Sequence, residues 1–147
     1  MSRFYCFLFG VVLAASAFAM SCNREEETDV VYVEVGDLSS VIDDTATQIS
    51  RAWLPAHTRL SLDYEPIDDF GMGLVSRLRG MGFAIEEGGA GQGRRLTYLA
   101  HIYDPQYMLV VVRVGREGLS SLYQRQIDGN GLPVYTRIGP WARKTAK

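Results

Sequence analysis

The second half of the chain is a series of short apolar or alternating runs separated by residues typical of tight turns. The run Tyr107–Val114 (YMLVVVRV) is apolar on both faces apart from one arginine, a pattern typical of a strand in the middle of a sheet. Asp104-Pro105 precedes it. Asp128-Gly129-Asn130-Gly131 separates the next two runs, Leu119–Ile127 and Leu132–Ile138, and predicts a hairpin because Asn and Gly tolerate positive φ. This half therefore predicts an antiparallel meander.

A first amphipathic helix is predicted ahead of the meander. Apolar residues recur at steps of three or four from Leu38 to Trp53, which places them on one helical face. Asp37 is the predicted N-cap, because its carboxylate can accept hydrogen bonds from unpaired backbone N–H groups. Pro55 is expected to end the helix.

A second helix is predicted to open at Pro66 and Asp68. Its apolar stripe is formed by Phe70, Leu74, Leu78 and Met81. Gly71 and Gly73 lie inside this helix, where each costs about 1 kcal/mol of helix propensity. We therefore expect them to let the helix approach a sheet closely.

Three further strands are predicted at Thr58–Tyr64, Phe83–Glu86 and Leu96–Tyr103. The order helix, strand, helix and five strands predicts an α+β fold, in which two helices pack on one face of a single mixed, mostly antiparallel sheet of about five to six strands. The glycine-rich stretch Gly88–Gly93 predicts a hairpin loop. A phosphate cradle needs a helix directly after the loop, whereas a strand pattern follows here.

The N-terminus has the pattern of an export signal. Arg3 precedes the apolar run Phe4–Phe18, which is too short for a transmembrane helix of about 20 apolar residues. Ala19-Met20-Ser21-Cys22 resembles a lipobox, with cleavage before Cys22 and acylation of its thiol. The alternative is ordinary cleavage after Ala19, at a small-x-small site.

The favoured interpretation divides the chain into a lipoprotein signal peptide (1–21), a lipidated Cys22 with an acidic tether (22–37) and a single α+β domain (38–147). Cys6 would be removed with the signal peptide, so the mature chain would hold one cysteine and no internal disulfide. Several acyl chains on that cysteine would anchor the protein stably.

The tether is strongly acidic, with six acidic residues and one arginine in 23–37. Like charges keep such a segment extended. Val31, Tyr32 and Val33 inside it are β-prone, and they are candidate contacts with the sheet edge of a partner. The alternatives are that they add a strand to the chain's own sheet, or that the tether is only a spacer.

No residue pattern assembles a catalytic or metal site. His57 and His101 lack ligand neighbours at metal-binding spacing, and no nucleophile, base and orienting group fall together. The sequence therefore predicts no enzyme, no metal and no cofactor. Fifteen basic against 17 acidic residues give a net charge of −2, which argues against direct binding of nucleic acid.

Arginines and tyrosines are frequent in the strands of the meander. An Arg/Tyr-rich sheet face is a candidate protein interface, because these residues dominate interface energetics. The candidate partner contacts on it are Arg113, Tyr123 and Arg125.

Several short motifs fall in the order found in the TrbH family of conjugal-transfer lipoproteins, which the chain resembles over roughly residues 40–144. They are Ile42-Asp43-Asp44 through Gln48-Ile49, Trp53–Leu60, Asp69-Phe70-Gly71 with Leu74, Leu78-Arg79, Gly82–Ile85, Val114-Gly115, Leu119-Ser120, Tyr123 and Gly139–Arg143.

The resemblance implies a structural lipoprotein of a conjugal (type IV secretion) transfer apparatus. Such a protein would be anchored in the outer membrane, face the periplasm, and assemble or stabilise the core complex with TrbG-like and TrbI-like subunits. Several copies can be expected to form a ring in that assembly. Asn23 after the lipidated cysteine is consistent with outer-membrane sorting. The alternatives are a periplasmic ligand-binding or envelope lipoprotein of an unrelated pathway and, less favoured, a cell-wall hydrolase.

Overall fold

A computed structural model describes residues 37–89 and 91–145 of the chain. The predicted signal peptide, Cys22 and nearly all of the tether lie outside these residues. The helices are α1 (Ser39–Ala52) and α2 (Asp69–Gly80), with a short 3₁₀ helix at Pro55–His57 between them. The strands are β1 (Arg59–Ser61), β2 (Ala84–Glu86), β3 (Arg94–Asp104), β4 (Tyr107–Val114), β5 (Glu117–Ile127) and β6 (Pro133–Thr145).

The six described strands form one mixed sheet in the order β2-β1-β3-β4-β5-β6. β1 is parallel to both of its neighbours, and the β3-β4-β5-β6 meander is antiparallel throughout. The predicted α+β fold, with two helices and a mostly antiparallel sheet, is therefore confirmed. The structure also confirms β4 as an interior strand.

Helix α1 buries the predicted stripe, with Val41, Thr45 and Ile49 fully inaccessible to solvent. The N-cap is Leu38 and not the predicted Asp37. Asp37 Oδ1 nevertheless accepts a hydrogen bond from Ser39 N, the first N–H of the helix, at 2.8 Å. Trp53 ends the helix in an extended conformation. Leu54 follows and precedes Pro55. It is extended as well, because the residue before a proline avoids helical angles.

Helix α2 is capped by Asp68, whose Oδ1 accepts from Gly71 N at 2.8 Å. Phe70, Leu74 and Leu78 are buried as predicted. Both helices lie on the same face of the sheet, against the buried side chains of β4, which are Met108, Val110, Val112 and Val114.

The glycine-rich loop does not form the predicted hairpin. β1 lies between β2 and β3, and both flanking strands run parallel to it. β2 ends beside Ser61 and β3 begins beside Leu60, so the connecting loop crosses the end of β1 from one side to the other. A Cβ on Gly93 would lie 2.7 Å from the Leu60 carbonyl carbon, so this close backbone approach requires glycine.

Candidate protein-interaction surfaces

The described surface contains grooves that are open to solvent. One groove is lined by Leu62–Asp68 and the start of β3, and the other by the β4-β5 turn. His57 and His101 are both exposed. Within residues 37–89 and 91–145, no three His, Cys, Asp or Glu side chains are arranged to hold a metal ion. Both grooves are open to solvent and are not enclosed cavities.

Asp44 on α1 is the centre of a polar cluster that ties the helix to two strands. Its Oδ2 accepts a hydrogen bond from the Tyr123 hydroxyl of β5 at 2.7 Å and one from Trp141 Nε1 of β6 at 3.2 Å. Arg137 Nε, also on β6, lies 3.4 Å from the same oxygen. We call Asp44, Tyr123, Arg137 and Trp141 the Asp44 cluster. Burial, and then the hydrogen bond to Asp44, raises the pKa of Tyr123.

The sequence alone gave no indication of this cluster. The adjacent residues Asp43 and Asp44 point in different directions. Asp43 forms an exposed ion pair with Arg77 of α2 at 2.9 Å, whereas Asp44 turns toward the sheet. Two adjacent acidic residues on a predicted helix look alike in sequence, and only the position of α1 over β5 and β6 distinguishes them.

A second Asp–Tyr pair ties α2 to the sheet. The Tyr98 hydroxyl of β3 donates to Asp68 Oδ2 at 2.6 Å, while the other carboxylate oxygen caps the helix. A Cβ on Gly71 would overlap the Tyr98 hydroxyl. The prediction that Gly71 permits close approach to the sheet is therefore confirmed. Gly73 instead faces Ile42 of α1, whose Cδ1 would lie 2.6 Å from an added Cβ.

The face of the sheet opposite the helices is open. Side chains alternate across each strand, so the residues between the core positions of β3 to β6 share this face. Its members include Thr97, Leu99, His101, Tyr103, Asp104, Tyr107, Leu109, Val111, Arg113, Gly118, Ser120, Leu122, Gln124, Thr136, Ile138, Ala142 and Lys144. We call them the open sheet face. No helix or strand in the described part of the chain covers them.

The free edge of β6 is interrupted at two places. Asp37 pairs with Val134, and its N–H donates to Pro133 O at 3.2 Å. Further along, a bulge containing Gly139 (φ 86°) and Pro140 shifts the register and turns Trp141 toward the Asp44 cluster. Proline and bulges are common devices that keep an edge strand from pairing with another chain. This bulge also lets β6 continue to Thr145, well beyond the predicted end at Ile138.

The predicted contact residues have different positions. Val31, Tyr32 and Val33 lie outside the described residues. Arg113 is exposed on the open sheet face, and Arg125 is half-buried beside Tyr135 on β6. Tyr123 is only 1% exposed, so it is a core residue of the domain and not a surface residue that a partner could contact. The expected Arg/Tyr face does not exist as one surface, because Tyr98 and Tyr123 point to the helices while Tyr103 and Tyr107 stack at the open face.

One exposed apolar loop was not predicted from the sequence. β1 ends at Ser61, before the predicted end at Tyr64, so Leu62–Asp68 is a loop in which Tyr64 is 83% and Ile67 92% exposed. The loop is fixed at both ends, by the Asp63–Arg95 ion pair and by the Asp68–Tyr98 hydrogen bond. Alternation in Thr58–Tyr64 favoured a longer strand, and Pro66 was the only sign in the sequence that the chain turns here.

Comparison with known proteins identifies a family. The sequence pattern of the family described as "Conjugal transfer protein TrbH" matches residues 23–138. No curated protein and no solved structure matches the chain. No helix of residues 37–89 and 91–145 is long and apolar enough to cross a membrane. Since the family match covers most of the chain, this protein belongs to the TrbH family of conjugal transfer proteins.

Proposed function

We propose that this protein is an outer-membrane-anchored structural lipoprotein of a conjugal (type IV secretion) transfer apparatus. It assembles or stabilises the core complex by protein–protein contacts, and it faces the periplasm. The observation that carries the proposal is the family match, which begins at Asn23, directly after Cys22. The matched unit thus includes the acidic tether, and its first residue follows the cysteine of the lipobox-like sequence.

The anchor supports this function through concentration. A lipid-anchored domain stays near other proteins of the same membrane, so contacts that are individually weak become sufficient for assembly. The proposed partners are TrbG-like and TrbI-like channel subunits, with several copies of the chain arranged in a ring. A contact role needs rigid surfaces, and the two Asp–Tyr pairs hold both helices firmly on the sheet.

The anchor is tested by Cys22→Ser, with Cys6→Ser as the matched control. Cys22→Ser is expected to release the protein from membrane fractions, to abolish incorporation of radiolabelled palmitate and to lower mating frequency. Cys6→Ser is expected to change none of these. If Cys22→Ser stays in the membrane fraction and supports mating fully, the lipid anchor is wrong. The mass of the mature N-terminus separates acylation of Cys22 from cleavage after Ala19.

The contact role is tested by affinity purification of the lipidated protein from mating cells. Channel subunits of the transfer apparatus are expected to co-purify. Absence of every apparatus component from the purified material, with mating intact, would contradict a structural role in the core complex.

A further inference from the structure

The open sheet face carries several large apolar side chains, although no described helix or strand covers it. Leu99 is 52% and Ile138 38% exposed, and Leu109, Val111 and Leu122 are half-buried. The last three lie on β4 and β5, in the interior of the sheet. β4 is apolar on both faces, a pattern typical of strands that are covered on both sides, yet only its helix side is covered by described residues.

The cations Arg113 and Lys144 lie at one end of this face. Neither forms an ion pair with another described residue, and the carboxylate of Asp104, which pairs with Tyr107, lies at the opposite end of β3 and β4. Arg113, Gly118 and Lys144 are direct cross-strand neighbours on β4, β5 and β6. An added Cβ on Gly118 would lie 3.4 Å from Arg113 Cγ, so the glycine leaves a notch between two cations.

We propose that the open sheet face is a docking surface for an amphipathic segment of a partner protein. The segment is apolar along one side, where it covers Leu109, Val111 and Leu122, and it carries carboxylates at one end, where it reaches Arg113 and Lys144. The inference rests on the proposed function in one respect, namely that the chain acts by contact with another protein.

Two other occupants fit the face less well. A second copy packed face to face offers one carboxylate, that of Asp104, whose Oδ1 already accepts from Gln106 N. Burial against such a copy would leave at least one of the two cations unpaired, at a cost of several kcal/mol. A lipid surface would satisfy the cations. However, Leu109, Val111 and Leu122 lie half-buried in the sheet, whereas interfacial segments insert their apolar side chains about 5–10 Å into the bilayer.

The test is site-specific photocrosslinking in mating cells. A benzophenone amino acid replaces Leu109 in the full chain, and in a second variant it replaces Leu122, its direct cross-strand neighbour. The control position is Met72, which is 49% exposed on α2, in the helix layer. Melting curves establish that each variant is folded.

The expected result is an adduct from Leu109 or Leu122, but not from Met72, with one protein. Mass spectrometry should map it to a segment with apolar residues on one side and carboxylates at one end. Arg113→Glu combined with Lys144→Glu should reduce the adduct several-fold, whereas Arg51→Glu, at an exposed arginine on α1, should not.

Adducts only with lipid, with a second copy or with the chain itself would overturn the proposal, as would no adduct or an adduct insensitive to the charge reversals. If apparatus components still co-purify in such a case, the proposed function stands and only the docking face is wrong. If none co-purifies, the proposed function fails independently.

Discussion

The Tyr123 hydroxyl lies 2.7 Å from Asp44 Oδ2, and this hydrogen bond joins helix α1 to strand β5 across 79 residues of sequence. The same oxygen accepts from Trp141 Nε1 on β6. One carboxylate therefore fixes α1 to two adjacent strands, and the Asp68–Tyr98 pair does the same for α2 and β3. Both helices are thus held to the sheet by directional contacts as well as by apolar packing.

Asp44→Ala is expected to lower the free energy of unfolding by about 2–3 kcal/mol, because it leaves the buried Tyr123 hydroxyl and the Trp141 N–H without their acceptor. Asp43→Ala is the matched control at the adjacent position. Its ion pair with Arg77 is exposed, so a loss of under about 0.5 kcal/mol is expected. Denaturant titration of both variants measures the difference, and equal losses would show that Asp44 is not the anchor.

Trp141 is expected to contribute through packing as well as hydrogen bonding. Its ring meets Tyr123 edge-on, with centroids 6.4 Å apart, and packs against the core. Trp141→Ala should cost about 2–4 kcal/mol, whereas Trp141→Phe should keep much of the packing and lose mainly the hydrogen bond, about 1 kcal/mol. Thermal melts test both variants. A Trp141→Ala variant with an unchanged Tm would show that this ring stabilises nothing in the isolated domain.

Gly71 and Gly80, two of the three glycines of α2, differ in surroundings, and substitutions at them should have opposite effects. An added Cβ at Gly71 overlaps the Tyr98 hydroxyl, whereas one at Gly80 meets nothing within 4 Å. Gly71→Ala should therefore destabilise by about 1–3 kcal/mol through overpacking. Gly80→Ala should stabilise by about 0.4–1 kcal/mol by restricting the unfolded chain. Stabilisation by both substitutions would contradict the close approach of α2 to β3.

The raised pKa of Tyr123 predicts a loss of stability in alkali. The folded state keeps the phenolic proton to a higher pH than the unfolded chain, whose tyrosines ionise near pH 10. The stabilisation is therefore complete below about pH 10 and declines as pH rises above it. Denaturant titrations at pH 8 and pH 11 should show the decline, and Tyr123→Phe should make it smaller. An identical decline in both proteins would assign it to other groups.

Local sequence patterns were sufficient to predict most of the helices and strands. The stripe of Phe70, Leu74 and Leu78 specified α2, and Asp128–Gly131 specified the β5-β6 hairpin, because both depend on residues close in sequence. The position of β1 was not predictable in this way. Its pairing with β2 and β3 depends on contacts over more than 20 residues, and three-residue strands have no periodicity that reveals their neighbours.

The candidate surfaces were less predictable than the fold. Tyr123 and Arg113 are both on strands of the meander, and alternation alone does not say which face the helices cover. Once α1 and α2 are placed, the same alternation buries Tyr123 and exposes Arg113. The bulge at Gly139-Pro140 was likewise hidden, because a Gly-Pro pair also ends strands.

The acidic tether is expected to recognise a partner as well as span a distance. The family match includes it, and Val31, Tyr32 and Val33 belong to an apolar, β-prone run that suits pairing with another chain's sheet edge. We therefore predict that deleting residues 28–35, with Cys22 and the folded domain kept, lowers both the yield of co-purified channel subunits and the mating frequency.

The matched control replaces the same eight residues by a Gly/Ser segment of equal length, which preserves the length of the tether but removes its charge and β propensity. Partial or no recovery by the Gly/Ser segment would support recognition by the tether. Full recovery of both readouts would show that the tether is only a spacer and that recognition resides on the folded domain.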